Sequence, residues 1–386
     1  MTANINLPRI LRIGSGASRN LTAVLTELGL KKPLLVSDDF IVSLGWLGEL
    51  ETQLKDQGFS YNSFTGVVPD PTTDAITEGL AVLHQDQHDC VVALGGGSTI
   101  DTAKMMAVMA TRDQPLRNYK VPHTLDDGLP IIAIPTTAGT GSEATRAAVV
   151  TDTETHEKML CMGLGLMPLA ALVDFELTIT MPLRLTADTG LDSLCHSLEA
   201  YVSRRANSFA DTFALASMSA IAKHLRNACN EPDNRVAREA MMLAATQGGI
   251  AFSNASVTLI HGMSRPIGGL FHVPHGMSNA MLLPDITAWS IIGAPARYAT
   301  CARAMQFASA SDSDEQANHK LIAGLRQLCS DLQVPTPASY GIDQSQWQQA
   351  IPIMTQQALD SGSPANNPHI PSAEQISALY QTVWNN

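Results

Sequence analysis

Three histidines and one aspartate in the second half of the chain have the residue types and spacing of a metal site. Asp192 and His196 are four residues apart in a segment whose apolar residues recur at helical spacing, so both side chains should lie on one face of a helix. His261 ends the apolar run SNASVTLIH, and His275 follows fourteen residues later. One oxygen donor and three imidazole nitrogens, without a thiolate, suit a divalent ion such as Fe(II) or Zn(II).

The chain must bring these four side chains together from separate segments. Pro266 and Pro274 lie between the last two histidines, and we expect each proline to break the chain direction. Two helices and a turn then suffice to place one carboxylate and three imidazoles at a common point. Each histidine taken alone fits a buried core position equally well, and it is their grouping that favours metal binding. Cys195 adjoins His196 but points about 100° away on a helix, so we assign it to the core.

The composition is that of a folded protein with two domains. The chain has 386 residues, which is too long for one ordinary hydrophobic core. Of these residues 45% are hydrophobic and 16% are charged, and this composition argues against disorder. The net charge of −12 argues against nucleic acid as a partner, because it repels phosphate chains. Without a cationic leader or a run of about 18 apolar residues, we expect no membrane association and a cytoplasmic location. The cysteines form no Cys-x-x-Cys pair, which fits reduced thiols.

The first half of the chain alternates short buried-strand patterns with helical ones. Apolar runs such as residues 91–94 and 131–134 are typical of strands covered on both faces of a parallel sheet. From about Leu183 onward, small and apolar residues recur at three- and four-residue spacing, which predicts helices. We therefore predict a Rossmann-like α/β nucleotide-binding domain over residues 1–180 and an all-α metal-binding domain over residues 181–386.

The strongest cofactor signal is a triple glycine between a predicted strand and a predicted helix. Gly95, Gly96 and Gly97 leave no side chain between the backbone and a ligand, so the N–H groups of the new helix could approach a pyrophosphate. Gly96, Gly97 and Ser98 are therefore assigned to the cofactor site. Ser98 and Asp101 also form a Ser-x-x-Asp capping pair, so helix initiation alone explains part of the motif. We assign Lys104 to the helix surface or a domain interface rather than to a phosphate.

Two further strand ends carry polar side chains that suit a dinucleotide. Asp38 follows the run that ends at Val36, where a carboxylate would hold the adenosine ribose and repel a 2′-phosphate, which favours NAD over NADP. A role for Asp38 as a helix N-cap fits the spacing equally well. Thr136 and Thr137 follow residues 131–134 and would hydrogen-bond ribose or phosphate oxygens, although a Thr-rich turn has the same pattern.

Two sequence blocks, TGLDSLCHSLEAY and HGMSRPIGGLFHVPHGMSNAMLLP, resemble the iron-containing (group III) alcohol dehydrogenase family. The resemblance covers essentially the whole chain, and the family motif PTT-x-GTGSE is matched at residues 135–143. It implies a dehydroquinate synthase-like architecture, NAD as the cofactor, and a homodimer or larger homo-oligomer. The ligands that it implies for iron or zinc are Asp192, His196, His261 and His275.

The same resemblance assigns further residues to the site. Asp70 stands where many members have an asparagine that touches the cofactor, and Arg265 stands where many have another histidine. Because arginine does not release a proton at working pH, we expect Arg265 to hold an anionic group of the substrate instead of relaying a proton. His272 is placed at the mouth of the active site, with core packing as the alternative. The resemblance also brings Thr145 and Lys158 to the cofactor cleft.

These assignments predict a metal-dependent, NAD-linked alcohol dehydrogenase or aldehyde reductase. A small alcohol bound to the metal would lose its proton readily and transfer hydride to a nicotinamide that faces the ion in a cleft between the two halves. If Arg265 binds the substrate, the alcohol or aldehyde carries an anionic group. Two enzymatic alternatives are an oxo-acid reductase resembling maleylacetate reductase and a lyase that uses NAD and metal, related to dehydroquinate synthase. A nucleotide-binding protein without catalysis is the third alternative.

Overall fold

The apolar runs in the first half of the chain form parallel strands. The structure is a computed structural model that describes residues 2–155 and 157–385. The chain divides into two compact units, an α/β unit over Ile5–Thr180 and a helical unit that comprises the chain from Met181 onward together with the residues before Ile5. The strands of the α/β unit are β1 (Ile10–Ile13), β2 (Pro33–Val36), β3 (Asn62–Phe64), β4 (Cys90–Gly95), β5 (Ile131–Pro135), β6 (Ala147–Thr151), β7 (Lys158–Met162) and β8 (Ala170–Val173).

Six of these strands pair in the order β1-β8-β5-β4-β2-β3, and every pair is parallel. Strands β6 and β7 form a separate antiparallel pair. The α-helices in the described part of this unit are α1 (Leu21–Leu28), α2 (Asp39–Ser43), α3 (Trp46–Asp56), α4 (Thr73–Gln85) and α5 (Gly97–Met109). The predicted Rossmann-like parallel sheet is thereby confirmed.

Apolar side chains cover both faces of the six-stranded sheet. Because successive residues of a strand point to opposite faces, Val91 and Ala93 of β4 join one hydrophobic cluster while Val92 and Leu94 join another. All four side chains are buried. This two-sided burial explains why the strand sequences are continuous apolar runs rather than alternating ones.

The carboxyl ends of the parallel strands lie along one edge of the sheet. After β2 the chain moves outward to β3, whereas β4, β5 and β8 extend the sheet in the other direction. The strand order therefore reverses between β2 and β4. In open α/β sheets this is where ligands bind, outside the carboxyl ends of the strands.

The second half of the chain is helical, as predicted. Its first helix, α6, is buried along most of its length, which accounts for apolar and small residues on nearly every side. Among the described residues, no helix is both long and apolar enough to cross a membrane. The helices are α6 (Leu183–Val202), α7 (Ser208–Asn230), α8 (Arg235–Asn254), α9 (Leu259–Phe271), α10 (His275–Ser290), α11 (Pro295–Ala304), α12 (Asp314–Asp331), α13 (Pro337–Tyr340), α14 (Gln344–Asp360) and α15 (Ala373–Asn385).

The two prolines between His261 and His275 behave differently. Pro274 is the N-cap of α10, so the chain turns there as expected. The expectation for Pro266 was wrong, because α9 continues through it to Phe271. A proline within a helix removes one backbone hydrogen bond, and Pro266 is accommodated as a buried residue inside α9. Helix α9 instead ends at His272, which adopts the left-handed conformation (φ 55°).

Candidate metal centre and cofactor site

Helices α6, α9 and α10 bring the four predicted metal ligands together. Asp192 and His196 lie one turn apart on α6, His261 lies in the first turn of α9, and His275 is the first residue of α10. The Nε2 atoms of His196, His261 and His275 lie 3.8, 3.5 and 3.7 Å from Asp192 Oδ1, respectively. The four candidate ligand atoms all lie within 4.8 Å of one another.

These donors fit a divalent metal ion. Metal–nitrogen and metal–oxygen bonds of about 2.0–2.2 Å place two ligands about 3–4 Å apart across an ion, which is the spacing around Asp192 Oδ1. His196 packs its ring against Phe252 at a centroid distance of 4.3 Å, which fixes its orientation. Asp192 and His261 are buried, whereas the side chain of His275 is 38% exposed. The site is therefore closed by protein around the aspartate and open beside His275.

The electrostatics of the cluster favour positive charge at its centre. Burial would raise the pKa of Asp192, but the three imidazoles hold it well below its usual range. Burial lowers the pKa of His196 to about 3. Burial also opposes a charge on His261, yet Glu199 and Asp192 raise its pKa to about 8. An ionised carboxylate and a neutral His196 are the protonation states that metal binding requires, and either a proton on His261 or a divalent ion supplies the positive charge.

Glu199 is a functional residue that the sequence analysis missed. It is 1% exposed, and its carboxylate accepts a hydrogen bond from His261 Nδ1. Its other oxygen accepts hydrogen bonds of 2.7 Å from the Thr258 hydroxyl and from the Ile260 N–H. A carboxylate on the second nitrogen of a ligating histidine fixes the tautomer and strengthens the imidazole as a donor. Glu199 therefore orients His261 Nε2 towards Asp192.

The other two residues predicted near the metal, Arg265 and His272, are seven residues apart, one within α9 and one at its C-terminal end. Arg265 follows His261 by four residues on α9, is half-buried, and donates a hydrogen bond of 3.1 Å to the Ser363 hydroxyl. Burial lowers the pKa of its guanidinium, an effect that Glu199 opposes. His272 is exposed at the C-terminal end of α9, so packing in the core is wrong for it.

Asp38 takes the helix N-cap role, one of the two roles that the sequence left open for it. Its Oδ1 accepts a hydrogen bond of 3.0 Å from the Ile41 N–H and caps helix α2. Its Oδ2 accepts one of 3.2 Å from the Thr99 hydroxyl of α5. The carboxylate thus lies at the end of β2 and contacts the helix that follows β4, at the point where the strand order reverses.

The glycines after β4 lie against the loop that follows β5. A Cβ atom at Gly96 would lie 3.2 Å from Thr137 Cγ2, and one at Gly97 would lie 2.7 Å from Thr140 Cγ2. The second distance is shorter than side chains tolerate, so this close approach needs glycine at residue 97. Thr136 is buried, and its N–H donates to the Gly95 carbonyl at 3.0 Å. The structure therefore brings Gly96, Gly97, Thr136 and Thr137 together.

The assignment of Lys104 to a surface was wrong. Lys104 is fully buried, and four oxygens of residues 142–147 lie 2.8–3.0 Å from its Nζ. Two of these oxygens belong to Thr145, so the Lys104 ammonium fixes both its side chain and its carbonyl. Burial lowers the pKa of Lys104 to about 8, against the opposing effect of Asp101 and Glu143.

The predicted capping pair at the start of α5 is also absent. The N-cap of this helix is Gly96, and no side chain caps it. Asp101 instead accepts hydrogen bonds from the Ser142 hydroxyl (2.6 Å) and the Val149 N–H (2.9 Å). Asp101 and Lys104 together join α5 to residues 142–149.

The remaining predicted cofactor residues form a small group at the start of α5. Asp70 has a left-handed conformation (φ 57°), and its N–H donates to the Ser98 hydroxyl at 3.3 Å. Lys158 Nζ lies 3.1 Å from Asp70 Oδ2. Asp70, Ser98 and Lys158 are thus neighbours, with the carboxylate exposed to solvent.

Two family profiles together match nearly the whole chain. Residues 8–175 match the profile described as iron-containing alcohol dehydrogenase, and residues 186–384 match the C-terminal part of the same family. The chain is 36% identical to the 1,3-propanediol dehydrogenase of Klebsiella pneumoniae over 92% of both chains. It is 31% identical to the NAD-dependent methanol dehydrogenase of Bacillus methanolicus, with 98% of this chain and 99% of that one aligned.

Solved structures agree with the sequence comparison. An alcohol dehydrogenase from Oenococcus oeni superposes with a TM-score of 0.94 at 31% identity, covering 99% of this chain and 100% of that one. Family, fold and the cluster of donors point to metal-dependent interconversion of alcohols and aldehydes. The chain belongs to the iron-containing alcohol dehydrogenase family and is an oxidoreductase of that family.

Proposed function

We propose that Asp192, His196, His261 and His275 hold Fe(II) or Zn(II), and that the enzyme transfers hydride between NAD and a small alcohol or aldehyde. The observation that carries this proposal is the convergence of three imidazole nitrogens on one oxygen of Asp192. All four ligands lie in one cluster, which argues against an oxo-acid reductase that works without a metal. When bound, the ion supplies Lewis acidity to the reacting oxygen of the substrate.

NAD binding is proposed for the α/β unit and metal binding for the helical unit. The carboxyl ends of β2 and β4, where the strand order reverses, carry Asp38 and the glycines at residues 96 and 97. Helix α5 begins there, and its free backbone N–H groups suit a pyrophosphate. Asp38 has lone pairs left for the ribose hydroxyls and would repel a 2′-phosphate, which favours NAD over NADP.

Further side chains have proposed roles in cofactor binding. Thr136 and Thr137 would hydrogen-bond the ribose or the phosphates from the end of β5. Asp70 and Lys158 form an ion pair beside Ser98, at the start of α5. Thr145 is held by Lys104 and would shape the loop rather than donate freely to the cofactor.

The residues around the metal would act as follows. Glu199 keeps His261 Nδ1 protonated, so that Nε2 keeps its lone pair for the metal ion. The exposed edge of His275 marks the side from which substrate reaches the centre. His272, exposed three residues earlier, is proposed to line the mouth of the site.

Arg265 is proposed to select an anionic group on the substrate. Within the described residues its guanidinium donates one hydrogen bond, to Ser363, which leaves N–H groups for a ligand. Residues four apart on a helix share a face, so Arg265 is on the same side of α9 as His261. A carboxylate or similar group on the substrate would suit a guanidinium on this side of the helix.

The proposal includes a homo-oligomer and a cytoplasmic location. All six cysteines are free and buried, and a reducing compartment would keep them so. The homo-oligomer rests on the family resemblance.

The test removes and restores the metal. Protein stripped with a chelator should form no NADH from a panel of small alcohols, and Fe(II) added without oxygen, or Zn(II), should restore NADH formation. Full activity of the stripped protein would favour the metal-free oxo-acid reductase instead. Turnover of a cyclic phosphate-bearing substrate without net NADH would favour the lyase.

A further inference from the structure

Asn279 is a buried amide in the middle of the candidate metal site. It lies on α10 one turn after His275, so the two side chains share a face of that helix. Its side chain is fully buried. The Nδ2 atom lies 2.6 Å from Asp192 Oδ1, 3.1 Å from His261 Nε2 and 3.3 Å from His275 Nε2. One end of the amide therefore contacts three of the four candidate ligand atoms.

The other end of the amide has no partner. Asn279 Oδ1 is buried and accepts no hydrogen bond from any residue that the structure describes. Buried carbonyl oxygens are almost always hydrogen-bonded or bound to a cation, so an exception calls for an explanation. The two ends of an asparagine amide are similar in size, and a half-turn about its last bond exchanges them.

Metal binding supplies the reason for such a half-turn. The Nε2 lone pairs of His261 and His275 accept from Asn279 only while no cation uses them. Once an ion is bound there, an N–H group would point at a positive charge, whereas the Oδ1 atom would be attracted to it. The spacing agrees, because donors about 2.0–2.2 Å from one ion stand about 3 Å apart, as Nδ2 does from its three neighbours.

We propose that Asn279 is a fifth protein ligand, whose Oδ1 turns towards the ion when the metal binds. This inference rests on the proposed metal site and adds a neutral oxygen donor to it. Hard oxygen donors and coordination numbers above four suit Fe(II) better than the four-coordinate geometry of structural zinc sites. Asn279 would thus bias the site towards the ion for which the family is named.

The experiment measures binding of Co(II) alone to chelator-stripped protein. Co(II) reports its coordination number through the intensity of its visible d–d bands, which are stronger for four ligands than for five. Asn279→Ala removes the proposed ligand, and Asn279→Asp keeps an oxygen at the same position. Thr287→Val is the matched control. Thr287 lies on the same helix as Asn279, and its buried hydroxyl has no hydrogen-bond partner among the described residues.

We expect Asn279→Ala to raise the Kd for Co(II) at least tenfold and to strengthen the d–d bands. Asn279→Asp should bind Co(II) as tightly as the wild type or more tightly, and Thr287→Val should match the wild type. If Asn279→Asp weakens binding as much as Asn279→Ala, the amide acts as an N–H donor to Asp192 and the proposal is overturned. A wild-type Kd and spectrum for Asn279→Ala would overturn it too.

Binding of Co(II) to the wild-type protein tests the proposed metal site separately from the role of Asn279. Tight binding of Co(II) by the wild type supports the metal site whatever Asn279 does. A wild-type protein that binds no Co(II) would instead remove the metal site, and the role of Asn279 with it. If Asn279→Asp does not survive removal of the metal, the spectrum of Asn279→Ala decides alone.

Discussion

The two units place their charged groups in opposite ways. In the helical unit, the groups that would contact a ligand are themselves buried, as Asp192 and His261 are, and a second buried carboxylate, Glu199, supports them. In the α/β unit, the groups at the start of α5 are more exposed, Asp70 among them. A buried charge of this unit is that of Lys104, which contacts oxygens of residues 142–147.

The difference follows from what each ligand needs. A divalent ion replaces its hydration shell with protein donors, so each donor must be dehydrated and aimed beforehand. A dinucleotide is held largely by backbone N–H groups and the start of a helix, which side-chain changes do not remove. Single substitutions should therefore reduce function steeply in the helical unit and gradually in the α/β unit.

The largest effect is expected for Asp192→Ala. It removes the one anionic donor and leaves three imidazoles facing one another, so the protein should lose its metal. Because Lewis acidity is worth several kcal/mol, kcat/KM for alcohol oxidation should fall about 10³-fold. Metal content and NADH formation are the measurements. Asp314→Ala, which removes the ion pair of an exposed carboxylate with Arg303, is the control and should change neither.

Glu199→Gln should have the next largest effect. Glutamine keeps the size of the side chain but loses the charge that holds His261 Nδ1, so the Kd for the metal should rise about 10–100-fold. Excess metal should restore activity, which it would not do for Asp192→Ala. Thr258→Val removes one hydrogen bond to Glu199 and should cost less. Unchanged metal affinity in Glu199→Gln would mean that His261 is oriented by its packing alone.

The sequence predicted the four donors but not the group that aims one of them. Asp192 and His196 could be paired because their spacing lies within one helix. Glu199 lies on the same helix, three residues after His196, and a carboxylate in so apolar a segment was a signal available in the sequence. Its partners, Thr258 and His261, come from α9, and only the tertiary structure joins them.

In the α/β unit, Lys104 likewise depends on contacts with residues far away in the sequence. It was assigned to the helix surface or a domain interface, and lysine is rarely buried, yet every residue from Thr102 to Met109 is buried. An unbroken run of buried residues leaves no polar face for a lysine, which the sequence alone did not resolve. The oxygens that compensate its charge lie in residues 142–147, about forty positions away, so local periodicity could not reveal them.

Arg265→Ala tests whether the helical unit also selects the substrate. Loss of a charged hydrogen-bond donor should raise KM about tenfold or more for aldehydes that carry a carboxylate, with little change for neutral aldehydes of the same length. Steady-state kinetics with matched pairs of substrates measure the difference. An equal rise in KM for both substrates would assign Arg265 to the support of α9 through Ser363.

The smallest effect on catalysis is expected for Lys104→Met, which tests the α/β unit. The substitution leaves buried oxygens of residues 142–147 without their donor, so the free energy of unfolding should fall by about 1–3 kcal/mol. The Kd for NADH should rise only several-fold, because the backbone groups at the start of α5 remain. Denaturant unfolding and NADH fluorescence measure the two quantities. Lys120→Met, which removes an exposed ion pair with Glu157, is the matched control.

The effect of Lys104→Met on stability should depend on pH in a defined direction. In the folded protein burial lowers the pKa of Lys104 to about 8 from an ordinary value of 10.5, so between these values the unfolded chain binds more protons than the folded one. Stability then rises with pH in the wild type relative to the variant. The loss caused by Lys104→Met should therefore be greater at pH 10 than at pH 8, and constant below pH 7. A loss that shrinks above pH 8 would show that folding raises the pKa of Lys104, and that its charge stabilises the loop more than its burial opposes it.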